Sequence, residues 1–255
     1  SVYFIKPRKM NEEDIESVIL DFGQAARRAI EAGADGIQIH GAHGYLINQF
    51  LSPYFNERKD TWGGSDENRF RFLKKVMDEV RKYVPQNKIL AVKLGINEIA
   101  GKNCIQIDLI KKYAEWVSKD VDAIEVSAGS TLFMFPNIIR GEIPINDVLR
   151  SYPKVMHSLV RMALKKMEEG REFSDLYNLQ TAIAVKPKIN NTKLLLVGGI
   201  RKIEDMNKVL DNGYADFLSF GRPFINNPHF VNQLQEGKEN PIKCINCNKC
   251  FVAVG

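Results

Sequence analysis

The sequence contains no apolar run long enough to span a bilayer, and its first residues do not have the pattern of a signal peptide. We therefore expect no membrane partner and a cytoplasmic location. The formal net charge is only +5 over 255 residues, and it is spread along the chain. A charge this diffuse gives little support to a nucleic-acid-binding protein, although it suits a small substrate or cofactor that carries phosphate.

Cysteine is also scarce, with four residues in all. Cys244, Cys247 and Cys250 lie together in the segment CINCNKC, and Cys104 lies far from them in the sequence. This spacing is not a disulfide framework and favours metal or redox chemistry in a reducing compartment. Thiolates separated by two intervening residues are good ligands for an iron–sulfur cluster or for zinc, but unligated cysteines remain an alternative.

What the chain does contain is a regular alternation of strands and helices. Glycine or proline follows most of the periodic helical segments, and a short apolar strand comes after each. Such an alternation predicts an α/β fold with a parallel sheet covered by helices. The region from 131 to 178 is irregular, with several short helices possible. Five strands are predicted, at residues 36–40, 89–94, 123–126, 194–197 and 217–220.

Polar aromatic residues cluster at the end of the first predicted strand. His40, His43 and Tyr45 lie within six residues, at the point where α/β folds place catalytic groups. Taken singly, each is more commonly structural, and a His-x-x-His pair could be half of a metal site that the cysteines complete. Together they are a candidate active site, because the loop after a strand presents side chains at the mouth of the sheet.

The segments HGAHGYLINQFLSP and NERKDTWGGSDENRFRF extend this cluster to residue 72. Their sequence resembles the signature of the old yellow enzyme family, in the branch of NADH:flavin oxidoreductases that includes bacterial 2,4-dienoyl-CoA reductases. The resemblance implies an FMN-binding TIM-type (β/α)8 barrel. It also implies hydride transfer from NAD(P)H, through the flavin, to an activated C=C bond of an enone or enoyl thioester. No Gly-x-Gly-x-x-Gly motif is present, so the nicotinamide would bind transiently.

The resemblance also implies catalytic roles for the clustered residues. His40 and His43 match the pair of donors that binds the substrate carbonyl oxygen, where negative charge develops. Tyr45 matches the proton donor, since a phenol remains protonated at neutral pH. Arg58, Asn68, Arg69 and Trp62 are instead expected to hold the long loop in shape.

Cofactor-binding residues are implied at later strand ends. Lys93 takes the place of an arginine that many relatives have at the N1/O2 edge of the flavin. The phosphate site is matched by Gly198 and Gly199 in LLLVGGI and by Gly221 and Arg222 in SFGRP. The branch also carries a 4Fe-4S cluster near the cysteine segment. Here the spacing is one residue shorter, and no fourth cysteine follows.

The five strands correspond to the last five of the family barrel, so the barrel is predicted to be incomplete. We expect residues 1–243 to form the FMN-binding barrel portion and residues 244–255 to form a C-terminal cysteine-rich segment. Five parallel strands cannot close a barrel, so a complementing chain or a homo-oligomer is a possible partner besides the small-molecule substrate. The alternative is a flavin-free barrel remnant with a structural or assembly role.

Overall fold

The computed structural model describes residues 8–96, 103–131, 140–169, 172–239 and 241–253. The strands form a single sheet in which all neighbours are parallel, and their order in the sheet follows the order in the chain. The strands are β1 Gly36–Gly41, β2 Ile89–Ile96, β3 Ala123–Ala128, β4 Lys193–Val197 and β5 Phe217–Ser219.

Helices precede, separate and follow these strands. Among the described residues, no helix is both long enough and apolar enough to cross a membrane. Two short 3-10 turns, Lys154–Met156 and Lys186–Lys188, supplement the α-helices. The α-helices are α1 Glu12–Glu31, α2 Leu46–Leu51, α3 Asp66–Arg81, α4 Ile107–Val117, α5 Ile145–Leu149, α6 His157–Glu168, α7 Leu179–Val185, α8 Ile203–Asp211, α9 Arg222–Asn226, α10 Phe230–Gln235 and α11 Lys249–Val252.

The helix ends follow from local sequence. The side chain of Asn11 accepts from the Asp14 backbone and the Asp14 carboxylate accepts from the Asn11 backbone, so α1 begins with a capping box. Beyond its end, Gly33 adopts a φ of 96° that a Cβ would disfavour. Ser65 caps α3 by accepting from the Asn68 amide.

The main hydrophobic core lies between one face of the sheet and the helices. Alternate residues of the strands point into it, as period-two side chains must. The long loop between α2 and α3 joins this core through Trp62, which is 2% exposed and donates to Glu12 at 2.6 Å. Arg58 donates to the Met10 carbonyl and Asn68 to the Gly63 carbonyl, which agrees with the structural role predicted for them.

On β1, β2 and β3 the other face of the sheet carries polar side chains. Gln38, Lys93, Glu125 and Ser127 alternate with the core residues of β1, β2 and β3 and therefore share this face. Within the described ranges no layer of helices covers it, and Gln38 is exposed. The outer strands β1 and β5 each pair with one neighbour only among those residues.

The irregular region forms a satellite of the main core. Helices α5 and α6 pack together around buried Val148, Leu149, Val160 and Leu164. Val252 of the C-terminal segment packs against the same cluster, so that segment lies on this satellite core.

Candidate active site

The loop after β1 brings the two histidines together. The ring centroids of His40 and His43 are 4.9 Å apart, and the rings meet nearly at right angles. The Tyr45 ring lies 5.1 Å from that of His40. Tyr45 is half exposed and precedes α2 as its N-cap residue, so its phenol stays at the surface beside the histidines. The predicted grouping of these three side chains is present.

The backbone of this loop is fixed by its neighbours. His43 has a φ of 63°, in the left-handed region that few residues other than glycine adopt. Its carbonyl accepts from the Thr131 amide at 2.9 Å and from the Thr131 hydroxyl at 3.0 Å. The buried Asn48 side chain accepts from the Gly44 amide at 2.9 Å and donates to the Gly41 and Gly95 carbonyls. These bonds tie the loop to the ends of β2 and β3, which holds the strained conformation in place.

The His43 ring forms a further contact with β3. Its Nε2 lies 2.8 Å from the hydroxyl of Ser127, which is buried. Burial, the neighbouring His40 and the Lys93 ammonium lower the pKa of His43 to about 4. His43 is therefore neutral at pH 7 and offers one N–H donor. Ser127 was not predicted as a site residue, although it directly follows the predicted apolar strand 123–126 at the same edge.

His40 is influenced by charges of both signs. Burial lowers its pKa below the ordinary value, Lys93 lowers it further, and Glu125 raises it. Its Nδ1 atom is buried without a hydrogen-bond partner among the described residues. A buried polar atom of this kind is costly unless a ligand or solvent satisfies it.

Lys93 belongs to a row of contacting polar side chains that extends across β1, β2 and β3. Its ammonium lies 2.9 Å from Oε1 of Glu125, and Oε2 of Glu125 accepts from Gln38 at 3.0 Å. Sequence reasoning identified Lys93 but missed Gln38 and Glu125. The signal was present, because each is a polar side chain within an otherwise apolar strand and on the same period-two face.

The ends of β4 and β5 lie at the same rim as the histidine loop. A cavity of about 180 Å³ separates the two groups of residues. That volume is below the ~300–1,000 Å³ usual for ligand pockets. The predicted residues that line the cavity are His43, Lys93, Gly198, Gly199, Gly221 and Arg222.

The glycines of this rim have different surroundings. Gly198 and Gly199 have φ values of 113° and 74°, and an added Cβ would collide with Tyr177 at Gly198 and with the Leu176 amide at Gly199. Their close approach is thus to the chain's own turn before α7. At Gly221 no described atom lies within 4 Å of such a Cβ, so its backbone is open to a ligand.

Arg222 connects the rim to the C-terminal segment. Its Nη1 donates to the Arg140 carbonyl at 2.9 Å and to Oδ1 of Asn248 at 2.6 Å. Asn248 is 1% exposed and donates to the carbonyls of Arg140 and Glu142. Neither contact was predicted from the sequence.

Among the described residues, none of the four cysteines forms a disulfide. Within the described part of the chain, no three His, Cys, Asp or Glu side chains are grouped as a metal site requires. Metal binding by Cys244, Cys247 and Cys250 stays a prediction.

Known structures share this fold. One is 2-naphthoyl-CoA reductase in complex with 2-naphthoyl-CoA. The match covers 95% of this chain and 32% of the reductase chain, with a TM-score of 0.74 and 23% identity. Morphinone reductase in complex with tetrahydroNAD matches over 91% of this chain and 51% of its own, with a TM-score of 0.62 and 24% identity. At these identities the likeness concerns the fold alone.

Sequence comparison adds the family. An NADPH dehydrogenase of Clostridium acetobutylicum is 32% identical over 88% of this chain and 56% of its own length. An NADH oxidase of Thermoanaerobacter brockii is 32% identical over 95% of this chain and 33% of its own length. The chain thus spans about half the length, or less, of these curated relatives. Residues 1–138 match the NADH:flavin oxidoreductase / NADH oxidase family. The chain therefore belongs to this family, the old yellow enzymes, whose members use FMN with NADH or NADPH.

Proposed function

We propose that the whole protein is an FMN-dependent NAD(P)H oxidoreductase that reduces an activated C=C bond, in an enone or an enoyl thioester. One observation carries this proposal. The histidine loop and the glycine-bearing ends of β4 and β5 border the same cavity, so a single flavin can reach both. The remaining strands and helices of a (β/α)8 barrel would then come from parts of the whole protein other than these five strands and their helices.

The residues at the rim fit an FMN molecule. Lys93 offers a cation beside the cavity, as the N1/O2 edge of a reduced flavin requires. Gly221 offers open backbone and Arg222 a guanidinium where a phosphate would be held. The unpartnered His40 Nδ1 offers one more polar atom for a ligand.

The histidines would bind the carbonyl oxygen of the acceptor. Bound and reduced, FMN would supply the hydride for the β-carbon. His43, being neutral, would stabilise the developing negative charge as a hydrogen-bond donor. His40, whose ring centroid lies 4.9 Å from that of His43, would add a second donor. Ser127 would keep the His43 ring oriented toward the cavity.

Tyr45 would protonate the α-carbon. Its half-exposed phenol lies beside His40, with the ring centroids 5.1 Å apart. A positioned general acid contributes roughly 10²–10⁴-fold to such a step. Its role is confined to the oxidative half-reaction, because reduction of the flavin needs no proton on the acceptor.

Reconstitution with FMN tests the proposal. Protein expressed from the whole reading frame should become yellow with FMN, and NAD(P)H should bleach it. Tyr45→Phe should keep the bleaching but lose about 100-fold or more of 2-cyclohexenone turnover. Tyr83→Phe is the matched control, because the Tyr83 hydroxyl contacts Gln24. A protein that stays colourless after reconstitution would refute the proposal and favour the structural role.

A further inference from the structure

We propose that Glu125 is a positioning residue of the candidate active site, which holds the Lys93 ammonium in place and offsets its charge beside the flavin. This inference rests on the proposed function, since it concerns the surroundings of the cofactor. It adds a residue that the sequence motif does not contain.

Strand register creates the contact. Lys93 on β2 is paired with His40 on β1 at one side and with Glu125 on β3 at the other. All three side chains therefore project from the same face at the same height. Gln38 lies two residues before His40 on β1, on the same face of the sheet, and is paired with Ala91. Because Ala91 has no side chain beyond Cβ, Gln38 can extend over it to Glu125.

The carboxylate of Glu125 is fully engaged. Its side chain is 7% exposed, that of Lys93 is 23% exposed, and the ammonium lies 2.9 Å from Oε1. Gln38 occupies Oε2 at 3.0 Å. A buried carboxylate with both oxygens bound has one orientation, and so has the ammonium paired with it.

The charges of Lys93 and Glu125 both act on the histidine loop. His43, Tyr45, Lys93 and Glu125 are the charged or titratable groups around His40. Lys93 lowers the pKa of His40 whereas Glu125 raises it, so both charges reach the histidine loop. A negative charge beside Lys93 must equally weaken its attraction for a reduced, anionic flavin. Without Glu125 the site would bind the reduced flavin more tightly than it does.

Replacement of the carboxylate by an amide tests this directly. Glu125→Gln keeps the shape of the side chain and removes the charge. In FMN-loaded protein, the ratio of the dissociation constants of oxidised and reduced FMN should rise about tenfold, which equals ~30 mV for a two-electron couple. In flavin-free protein, the pKa of His40, followed by NMR, should fall.

Glu79→Gln is the matched control. Glu79 is also a buried glutamate paired with a lysine, but it lies on α3 and contacts Lys82. The Glu79→Gln variant should change neither the ratio of the dissociation constants of oxidised and reduced FMN nor the pKa of His40. If Glu125→Gln does not fold, Lys93→Met is compared with Lys93→Met/Glu125→Gln, and the His40 pKa should be lower in the double variant.

The outcomes separate the two proposals. Wild-type protein that binds no FMN contradicts the proposed function, and the His40 titration alone then decides on Glu125. A Glu125→Gln variant with the wild-type FMN ratio and the wild-type His40 pKa overturns the inference. The inference is also overturned if Glu79→Gln reproduces both shifts.

Discussion

At the scale of single residues, His43 combines a strained backbone with a lowered pKa. Its ring contacts Ser127 and its carbonyl is held by Thr131, so the imidazole is fixed before any substrate arrives. Sequence could predict His40, His43 and Tyr45 because three polar rings after a strand are a recognisable pattern. The sequence could not show that Ser127 contacts His43 or that Glu125 pairs with Lys93, because both contacts depend on the register of β3 against its neighbours.

The lowered pKa of His43 predicts a pH-dependent stability. Its folded pKa is about 4, against an ordinary value of 6.5. Between these values the unfolded chain binds more protons, so falling pH favours unfolding; above pH 6.5 the contribution is constant. At ~1.4 kcal/mol per pKa unit, and allowing for partial exposure, the loss by pH 4 is on the order of 2 kcal/mol.

Urea unfolding between pH 7 and pH 4 measures this loss. His43→Gln should flatten part of the decline in the free energy of unfolding, since the variant lacks the titrating ring. His229→Gln, which changes an exposed histidine, should keep the wild-type slope. Equal slopes in all three proteins would contradict the assignment.

At the scale of secondary structure, periodicity predicted the long elements. The structure contains all five strands within a few residues of the predicted positions, and the helices α1, α3, α4 and α8 have the apolar face that periodic helical segments indicate. The differences lie at short elements. β5 ends at Ser219 before Phe220, and α9, α10 and α11 were not predicted. Helices of four to six residues depend on tertiary contacts, which sequence periodicity does not reveal.

The turn after β4 offers a test at this scale. Gly199 and Gly213 both have positive φ, 74° and 65°, so alanine is strained at either position. Only at Gly199 would the new Cβ approach backbone, at 2.6 Å from the Leu176 amide. We expect Gly213→Ala to cost ~1–2 kcal/mol of unfolding free energy and Gly199→Ala to cost clearly more.

Denaturant unfolding of the two variants measures their losses of unfolding free energy, and FMN titration measures their affinity for the cofactor. Gly199→Ala should also weaken FMN binding, because Tyr177 and the turn must move at the cavity rim. Similar losses of stability in both variants would mean that the crowding seen around Gly199 relaxes without cost.

At the scale of the whole molecule, the described residues form two hydrophobic clusters that are linked by polar contacts. The helical layer and the sheet form the main core, whereas α5, α6 and the C-terminal segment form a satellite. Arg222 and Asn248 link the satellite to the candidate phosphate loops. Residues 244–255 were predicted to be a separate cysteine-rich segment. Its contact with the satellite could not be predicted, because the region from 131 to 178 has no clear periodicity.

Asn248 should control the docking of that segment. It has a φ of 56°, which asparagine tolerates better than alanine, and its amide bonds Arg222, Arg140 and Glu142. Loss of these buried partners costs about 1–3 kcal/mol, which corresponds to roughly 5- to 150-fold more local opening. In Asn248→Ala, thiol reagents should therefore modify Cys247 and Cys250 about tenfold faster than in the wild type.

Two internal references make this measurement specific. Cys104 is 2% exposed in the main core and should keep its wild-type labelling rate, because local opening of the satellite leaves that core intact. Lys249→Ala changes an exposed residue beside Asn248 and should leave every rate unchanged. If Cys104 accelerates together with Cys247 and Cys250, the variant loosens the whole fold and Asn248 has no local docking role. If Cys247 and Cys250 keep their rates, the segment is held by its apolar contact through Val252 instead.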